Sequence, residues 1–288
     1  MLVCPGSMRD RLGVDILSDV VTVMRTGRPV SARVEWHSPW TQRFAEVPGA
    51  AGFQVVLQGT CRIMGPAPIH LGVGDVVFLP HATDHVLANG DSATTVTLCG
   101  AYEVDPGRVH PLLLSLPERI HLPARLGRHP ELRAAVDLLS AELENPRVGS
   151  DAVVPALLEA LLLYILRAYF EEQPPEGWAA ALRDQRITAA LQAIHNEPGR
   201  QWTVASLAAR AGMSRAPFAR TFKELIGQPP LTYLTWWRMT TAGRLLRDTD
   251  MSLSAIATKV GYTSEFAFAH AFKRETAQAP GRFRSTVE

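Results

Sequence analysis

Two stretches of this chain follow one pattern: VASLAARAGMSRAPFARTFK (residues 204–223) and LSAIATKVGYTSEFAFAHAFK (residues 253–273). In each, an aliphatic residue and an alanine precede a glycine, and a serine then leads to two phenylalanines and a lysine. The second copy has one additional residue, which falls in the turn after the glycine, where an insertion costs least. We interpret each copy as a helix-turn-helix unit.

The first copy shows how the pattern would fold. Thr203 predicts the N-cap of a short helix that ends near Ala211, and Gly212 can take the left-handed conformation that opens a tight turn. Ser214 can then cap a second helix. Apolar residues recur along that helix at helical spacing and predict its buried stripe: Phe218, Phe222 and Leu225. The second copy has the same phase, with two phenylalanines inward: Phe268 and Phe272.

The opposite face of each second helix is the surface that a helix-turn-helix places in the major groove. Between the copies, the pattern over residues 230–247 predicts one amphipathic helix, which at ~1.5 Å per residue is ~27 Å long. A rigid helix of that length can place the two second helices in successive major grooves, ~34 Å apart. An ordinary helical hairpin would explain either copy alone, but two copies in phase favour a pair of DNA-binding units.

A resemblance to a known family is carried by two stretches: GMSRAPFARTFKELIGQPPLTYLTWWRM (residues 212–239) and LLRDTDMSLSAIATKVGYTSEFAFAHAFKRETAQAPGRFR (residues 245–284). They resemble the DNA-binding domain of AraC-type transcription regulators, and the similarity extends over Arg186 to Arg284. The resemblance implies a seven-helix domain in which one protomer contacts two adjacent major-groove segments. The chain departs from the family at His270, where arginine is common. Ala216 and Ala219 also leave the first reading helix with few long side chains.

The candidate DNA-binding residues lie on the exposed faces of the two second helices: Arg215, Ala216, Ala219, Arg220, Lys223, Ser264, Glu265, Phe266, His270 and Lys273. Arg220 is the first candidate for a base contact, because a guanidinium can form two hydrogen bonds to guanine. His270 is a second candidate, and Phe266 can touch a thymine methyl group. The other basic residues are expected to meet phosphates, which gives affinity without sequence specificity.

Charge is divided unevenly along the chain. The whole chain has a formal net charge of only +1. From Gln185 onward it contains 14 Lys/Arg and 7 Asp/Glu, a balance of +7, and the residues before that point have a balance of −6. A basic C-terminal module suits phosphate contact and a salt-sensitive affinity. The acidic remainder would be repelled by DNA, which disfavours a nucleoid protein that binds DNA without sequence preference.

Residues 31–105 predict short strands, because Val, Ile, Leu and Phe dominate and Gly or Pro recurs about every ten residues. This rhythm indicates an antiparallel sandwich or barrel. The segment GDVVFLP (residues 74–80), followed by His85, resembles the second sequence box of cupins. The segment SPWTQRFAEVPGAAGFQVVLQGTCRI (residues 38–63) resembles the sensor domain of a cupin-type subgroup of AraC-like regulators, and the similarity covers residues 12–120.

Cupin barrels often hold a divalent metal through histidines of two boxes. Here Gln54 stands where the first box would carry a ligand histidine, and His85 remains. One well-placed donor is too few for a metal site, so we expect no metal, no cofactor and no catalytic residue. The barrel interior is instead the candidate effector pocket: Trp36, Trp40, Gln54, His85 and Cys99. A solidly packed interior is the alternative for the tryptophans, because side chains can fill a small barrel.

The three cysteines, Cys4, Cys61 and Cys99, show no metal-binding or disulfide spacing. In apolar strands, which contain the second and third, a cysteine is most often inert packing. A redox-sensor hypothesis pairs Cys4 with Cys99 and requires an exposed thiolate near positive charge. Cys99→Ser would test it, because an intact response of the target promoter to peroxide or hypochlorous acid would contradict it.

Two helical stretches, residues 130–146 and 151–172, are predicted in the middle of the chain. The second has an apolar face too wide for an isolated surface helix: Leu157, Leu158, Leu161, Leu162, Ile165 and Tyr169. Its partner is either the barrel or the same helix of a second subunit, and a homodimer would suit a regulator of paired DNA sites. The run QPPEG (residues 173–177) breaks the helix and predicts a linker.

Targeting segments are not expected. The start MLVCPGSMRD (residues 1–10) lacks the basic and apolar regions of a signal peptide. Pro155, Glu159 and Arg167 interrupt the most apolar stretch, so we expect no membrane span. The sequence therefore predicts a cytoplasmic protein with reduced thiols.

The predicted fold class is α+β. It comprises an antiparallel cupin-like barrel in residues 1–125, a helical dimerisation and linker segment in 126–183, and an all-α domain with two helix-turn-helix units in 184–288. The predicted function is a sequence-specific transcription regulator that binds double-stranded promoter DNA, a small-molecule effector, a second subunit and RNA polymerase. The alternative is a metal-dependent cupin enzyme, a dioxygenase or isomerase, with a DNA-binding tail. Whether the protein activates or represses is not encoded in these patterns.

Overall fold

The computed structural model describes residues 15–24, 27–65, 67–104, 109–125 and 127–285. The chain divides into two compact units. The β unit extends to Gln173 from the end of the first helix, α1 (Ile16–Met24). The helical unit combines α1 with the chain from Pro174 onward.

The β unit contains, among its described residues, nine strands and three helices: β1 Val30–His37, β2 Thr41–Phe44, β3 Ala50–Gln58, β4 Cys61–Ile63, β5 Ile69–Leu71, β6 Val76–Leu79, β7 His85–Asn89, β8 Thr94–Glu103, α2 Pro111–Leu114, β9 Ile120–Leu122, α3 Pro130–Glu144 and α4 Ser150–Glu172. The strands form a five-stranded sheet of order β1-β8-β3-β6-β9 and a four-stranded sheet of order β2-β7-β4-β5. Every strand pair is antiparallel. The predicted antiparallel cupin-like architecture is therefore confirmed.

The two sheets share one apolar core, because strands of each direct alternate side chains inward. Val56, Val77 and Leu79 of the five-stranded sheet pack with Ile63 and Leu87 of the four-stranded sheet. Cys61 lies in the same cluster and is 1% exposed. Burial of these side chains removes apolar surface from water and is the main force that holds the sheets together.

Helices α3 and α4 pack along each other within the β unit. The predicted apolar face of α4 is largely buried, at Leu158, Leu161, Leu162 and Ile165, while Leu157 and Tyr169 are half-buried. In addition, the Tyr102 hydroxyl donates to the carbonyl oxygen of Leu158 at 2.8 Å. Among the described helices, α4 has the length and hydropathy of a membrane span. This is weak evidence for a membrane, because the core helix of a soluble protein passes the same test.

The described residues of the helical unit form, besides α1, eight helices: α5 Gly177–Arg183, α6 Gln185–Asn196, α7 Val204–Arg210, α8 Arg215–Ile226, α9 Pro230–Asp248, α10 Leu253–Lys259, α11 Glu265–Thr276 and α12 Pro280–Ser285. Helices α6 to α12 are the seven helices that the resemblance implies. The buried stripe of α8 consists of Phe218, Phe222 and Ile226, whereas Leu225 is only half-buried. The prediction of Leu225 was therefore wrong by one position, because the helix continues one residue further and its last inward position falls at 226.

The grouping of the chain differs from the predicted three segments at two places. Helix α1 belongs to the helical unit rather than to the barrel, because its apolar face packs against α6 and α9. Helix α5 likewise packs on α6 and α8 instead of extending the middle segment. The division between Gln173 and Pro174 falls inside the run that predicts the linker.

A histidine fastens α1 to the helical unit. His195 Nδ1 lies 2.9 Å from Asp19 Oδ2, and Nε2 lies 2.8 Å from the Tyr233 hydroxyl. The imidazole also stacks on Trp237 with ring centroids 3.6 Å apart. Burial lowers the pKa of His195, and the hydrogen bond with Asp19 opposes that shift. A neutral ring satisfies both contacts, since Nδ1–H donates to the carboxylate and Nε2 accepts from the hydroxyl.

Candidate functional site

The first helix-turn-helix unit consists of α7 and α8. Thr203 caps α7, since its hydroxyl accepts from the Ser206 amide and the Ser206 hydroxyl accepts from the Thr203 amide. Gly212 has φ +61°, the left-handed conformation that ends α7 and redirects the chain. Ser214 occupies the N-cap of α8 but makes no side-chain capping bond. Its predicted place is thus observed, without the predicted capping bond.

The second unit repeats this arrangement in α10 and α11. Ser252 accepts from the Ala255 amide, and Gly261 has φ +85°. Ser264 caps α11, because its Oγ accepts from the Ala267 amide at 3.1 Å. The buried stripe of α11 is formed by Phe268 and Phe272, as predicted.

Helix α9 lies between the two units along the chain and packs on α8, α10 and α11. It spans 19 residues, close to the predicted range, and is therefore ~29 Å long. Arg238 of α9 donates to the carbonyl oxygens of Pro198 and Arg200, at 2.7 Å and 2.8 Å. Burial lowers the pKa of this guanidinium. The rod-like helix thus fastens the chain between α6 and α7.

The predicted DNA-binding residues lie at the surface of these two units. Ala219 is half-buried, and the other nine are exposed: Arg215, Ala216, Arg220, Lys223, Ser264, Glu265, Phe266, His270 and Lys273. Phe266 is 89% exposed, which is unusual for so large an apolar side chain. The two reading faces, as we call these exposed sides of α8 and α11, are thus brought to the surface of one unit.

Four cations on the reading faces carry charge that no neighbouring acid neutralises. Within the described part of the chain, Arg215, Arg220, Lys223 and Lys273 form no ion pair. Arg274 differs, because it pairs with Glu275 at 3.3 Å. The unpaired cations can meet phosphates or base edges without first breaking an internal contact.

One matched pair of cations was missed by the sequence analysis. Arg210 ends α7 and Lys259 ends α10, and both side chains are exposed immediately before the turn. The repeat itself contained the signal, because the two residues occupy the same position in the two copies.

The β unit contains a cavity of about 320 Å³. Three of the five predicted pocket residues line it: Gln54, His85 and Cys99. Phe44 also lines the cavity and stacks on His85 with centroids 4.9 Å apart. The other two predicted residues are not in its lining. Trp36 stacks on Trp40 at 4.8 Å and donates to Thr97 Oγ1 at 2.8 Å, and the latter tryptophan packs on the core between the sheets.

The thiols of the β unit are not activated. Burial, together with the charge of Asp75, raises the pKa of Cys61 to about 11. Burial also raises the pKa of Cys99, whose Sγ lies 3.6 Å from the Ala32 carbonyl oxygen. Reactive thiols have lowered pKa values, so these environments do not favour a redox sensor. Cys4, the other half of that hypothesis, lies outside the described residues.

The described residues contain no cluster of three or more His, Cys, Asp or Glu side chains arranged to hold a metal ion. His85 has both ring nitrogens engaged. Its Nδ1 lies 3.0 Å from the Thr83 carbonyl oxygen, and its Nε2 lies 3.4 Å from Gln54 Nε2.

Comparison with known proteins identifies both parts of the chain. Residues 15–171 match a family of cupin domains, and residues 207–286 match a family of helix-turn-helix domains. The first match extends over α1 and the β unit, and the second includes both reading faces.

Relatives with curated names align along nearly the full length. An AraC-like transcription regulator of Streptomyces lividans is 32% identical, with 94% of this chain and 98% of that protein covered. The HTH-type transcriptional regulator MtrA of Neisseria gonorrhoeae is 28% identical, with the same coverage. Among solved structures, the DNA-binding domain of AdpA in complex with a target DNA is 34% identical, with a TM-score of 0.34, and covers 36% of this chain and 92% of that one. The chain therefore belongs to the AraC-type DNA-binding transcription regulators and has a cupin-type N-terminal domain.

Proposed function

We propose that the chain reads two adjacent major-groove segments of promoter DNA through the reading faces of α8 and α11. The observation that supports this most directly is the repeat. Two units with the same order of helices, turn glycines and phenylalanine stripes each expose one face that the domain leaves unused. Helix α9, ~29 Å long, is comparable with the ~34 Å that separates successive major grooves on one side of the duplex.

The two reading faces recognise different segments of the DNA. Arg220 reads a guanine, and Phe266 and His270 read the second segment, while Ala216 and Ala219 permit close approach to the groove. The remaining cations, Arg215, Lys223, Lys273, Arg210 and Lys259, hold phosphates. Glu265 can accept from a cytosine amine, and the Ser264 hydroxyl still has a proton to donate after capping α11.

Selection of bound sequences from random DNA by the full-length protein tests this proposal. Two short enriched blocks about ten base pairs apart are expected, the spacing of one helical turn. Arg220→Ala should cost ~1–3 kcal/mol at the selected site and relax the preference at one base pair. Lys273→Ala should weaken binding to all sequences about equally. Arg28→Ala is the matched control, because Arg28 of the β unit is also exposed and forms no ion pair within the described residues.

Equal effects of Arg220→Ala and Lys273→Ala on selected and random DNA would refute the docking of α8. Absence of any enriched motif would refute the double-unit reading of DNA altogether.

Control of DNA binding is assigned to the cavity of the β unit. A small molecule that binds one conformational state more tightly than another shifts the population towards that state. We infer no enzymatic role for this unit, because the ring nitrogens of His85 are engaged by Thr83 and Gln54 and the curated relatives are transcription regulators. Stoichiometric iron, manganese or zinc in the purified protein would favour the cupin enzyme instead.

A homodimer through α3 and α4 completes the proposal. Leu138 of α3 and Val153 of α4 are 59% and 41% exposed, and Val148 between the helices is fully exposed. Such apolar surface suits a second subunit. Light scattering of the full chain should give twice its mass, and Leu138→Glu should reduce it to one copy. The regulator acts in the cytoplasm, and RNA polymerase is a further partner under this proposal.

A further inference from the structure

The described walls of the cavity of the β unit carry no charged side chain. Its lining comes from β1, β2, β3, β7, β8 and the loops beside β2 and β7, and among the described residues it includes no Asp, Glu, Lys or Arg. A volume of about 320 Å³ lies at the lower end of the ~300–1,000 Å³ that is usual for small-molecule pockets. An ion loses hydration on entry and meets no charged side chain in the described lining, although the charges of Asp84 and Arg119 act on His85 from outside it, so the walls favour an uncharged occupant.

The hydrogen bonds of His85 determine the orientation of Gln54. A carbonyl oxygen can only accept, so the contact with Thr83 O places the proton of His85 on Nδ1. Burial lowers the pKa of His85 and keeps the ring neutral, so Nε2 is an acceptor. The Gln54 atom that faces it at 3.4 Å must therefore be the amide NH₂.

This orientation leaves the other end of the amide unsatisfied. Gln54 is only 4% exposed, and within the described part of the chain its buried Oε1 has no hydrogen-bond partner. The hydroxyl of Ser31, a second residue of the cavity wall, is also buried and unpartnered. Buried polar atoms are nearly always paired in folded proteins, so an unpaired acceptor in a cavity wall indicates a donor on the occupant.

We propose that the cavity binds an uncharged, mostly apolar small molecule whose hydroxyl or N–H group donates a hydrogen bond to Gln54 Oε1. This inference rests on the proposed function and names the chemical class of the effector. A water molecule can also satisfy the amide oxygen, but the apolar wall around Phe44 and Val47 gains nothing from water. A molecule with one donor on an apolar body satisfies both parts of the site.

Three small probes of similar shape test the class by calorimetric titration of the full-length protein near neutral pH. They are 4-propylphenol, which carries the donor, 4-propylanisole, in which a methyl group replaces the hydroxyl proton, and 4-propylbenzoate, which is an anion. The phenol is expected to bind about five- to tenfold more tightly than the anisole, the usual effect of one hydrogen bond. The benzoate is expected to bind more weakly than the phenol.

Gln54→Leu should lower the affinity for the phenol to that for the anisole and leave the anisole unaffected. Gln58→Leu is the matched control, because Gln58 lies at the exposed end of the same strand, and it should change neither affinity. The comparison of phenol with anisole needs no variant, so it decides the question even if Gln54→Leu fails to fold.

Equal or tighter binding of the anisole or the benzoate would overturn the proposed class, and so would the failure of all three probes to bind at millimolar concentration. The proposed function fails separately. If the phenol binds through Gln54 but does not change DNA binding, the ligand class stands and the effector role of the cavity is wrong.

Discussion

The two helix-turn-helix units have the same backbone arrangement and matching core residues, but their exposed faces and their packing partners differ. Phe218 and Phe222 in the first unit match Phe268 and Phe272 in the second, and all four are fully buried. The exposed faces differ, with Arg220 beside two alanines on α8 and Phe266 with His270 on α11. A shared core with different faces allows one domain to read two unlike stretches of DNA.

The surroundings of the two units also differ. Helix α5 packs on the first helix-turn-helix unit. Phe222 of this unit contacts Tyr233, whose hydroxyl is hydrogen-bonded to His195, and His195 in turn contacts α1. The second is packed by α12, whose Phe283 meets Phe272 edge-on at 5.3 Å. Each copy therefore packs against its own partners, while the inward residues of the two copies are alike because the helix crossing requires them.

The largest expected effect tests whether the two cores are equivalent. Phe222→Ala and Phe272→Ala should each lower the free energy of unfolding by about 3–5 kcal/mol, the usual cost of removing a buried phenylalanine ring. Urea unfolding followed by circular dichroism measures both. Phe266→Ala removes the same ring from an 89% exposed site and should cost under about 0.5 kcal/mol. A large difference between the two core variants would show that the units are not equivalent in stability.

Substitution of the turn glycine should destabilise the second helix-turn-helix unit more than the first. A Cβ added at Gly261 would lie 2.7 Å from the Gly199 carbonyl oxygen and 2.7 Å from Arg238, whereas one at Gly212 would meet no atom of the described residues within 4 Å. Gly212→Ala should therefore cost only the left-handed strain, about 1–2 kcal/mol, and Gly261→Ala about 2–4 kcal/mol because overpacking is added. Thermal unfolding of the two variants measures the difference. Equal losses would mean that the Gly199 loop moves away freely.

Acid should weaken the contact of α1 with His195. This contact is linked through Tyr233 to the first helix-turn-helix unit and not to the second. The folded pKa of His195 is lowered from the ordinary 6.5, so the unfolded chain binds the proton more readily. The stability that this group provides is complete above pH 6.5 and is lost as pH falls towards the folded pKa, by up to about 1.4 kcal/mol per unit. Unfolding midpoints between pH 7.5 and 5.5 should fall less steeply in His195→Phe. Parallel slopes would contradict a neutral His195.

The smallest effect concerns the caps of the two reading helices. Ser264→Ala removes a capping bond to Ala267 and should cost about 1 kcal/mol, whereas Ser214→Ala removes none and should cost under about 0.5 kcal/mol. Urea unfolding of the pair measures the difference. If the two losses are equal, Ser214 also caps its helix in solution.

The sequence predicted most of the helical domain, because its signals are local. A glycine with a left-handed φ, an N-cap residue and a phenylalanine stripe each depend on neighbours within one or two turns. The error at Leu225 arose because a helix end determines which of two adjacent apolar residues turns inward. The antiparallel strands were equally predictable, because short runs of Val, Ile, Leu and Phe are separated by Gly or Pro.

The sequence could not place residues that meet across long separations. Asp19 and His195 are 176 positions apart and join only because α1 packs on α6 and α9. Trp36 and Trp40 were assigned to the pocket as barrel-interior residues, but stacking on each other and the bond to Thr97 hold them elsewhere. Ser31 gave no signal at all, because nothing local shows which strand hydroxyl faces a cavity.

By itself, the sequence determined the class of this protein, its duplicated DNA-binding units and the division of charge between them and the barrel. The class follows from the resemblance of the quoted motifs to a known family. The duplication and the division of charge follow from short-range periodicity and composition, which the chain retains in any packing. The tertiary structure alone decided that α1 joins the helical unit, that Gly261 rather than Gly212 is confined, and that Gln54 Oε1 has no partner. Those facts depend on which surfaces come into contact after folding. Apolar burial drives this contact but is not directional, so the order of residues along the chain does not specify it.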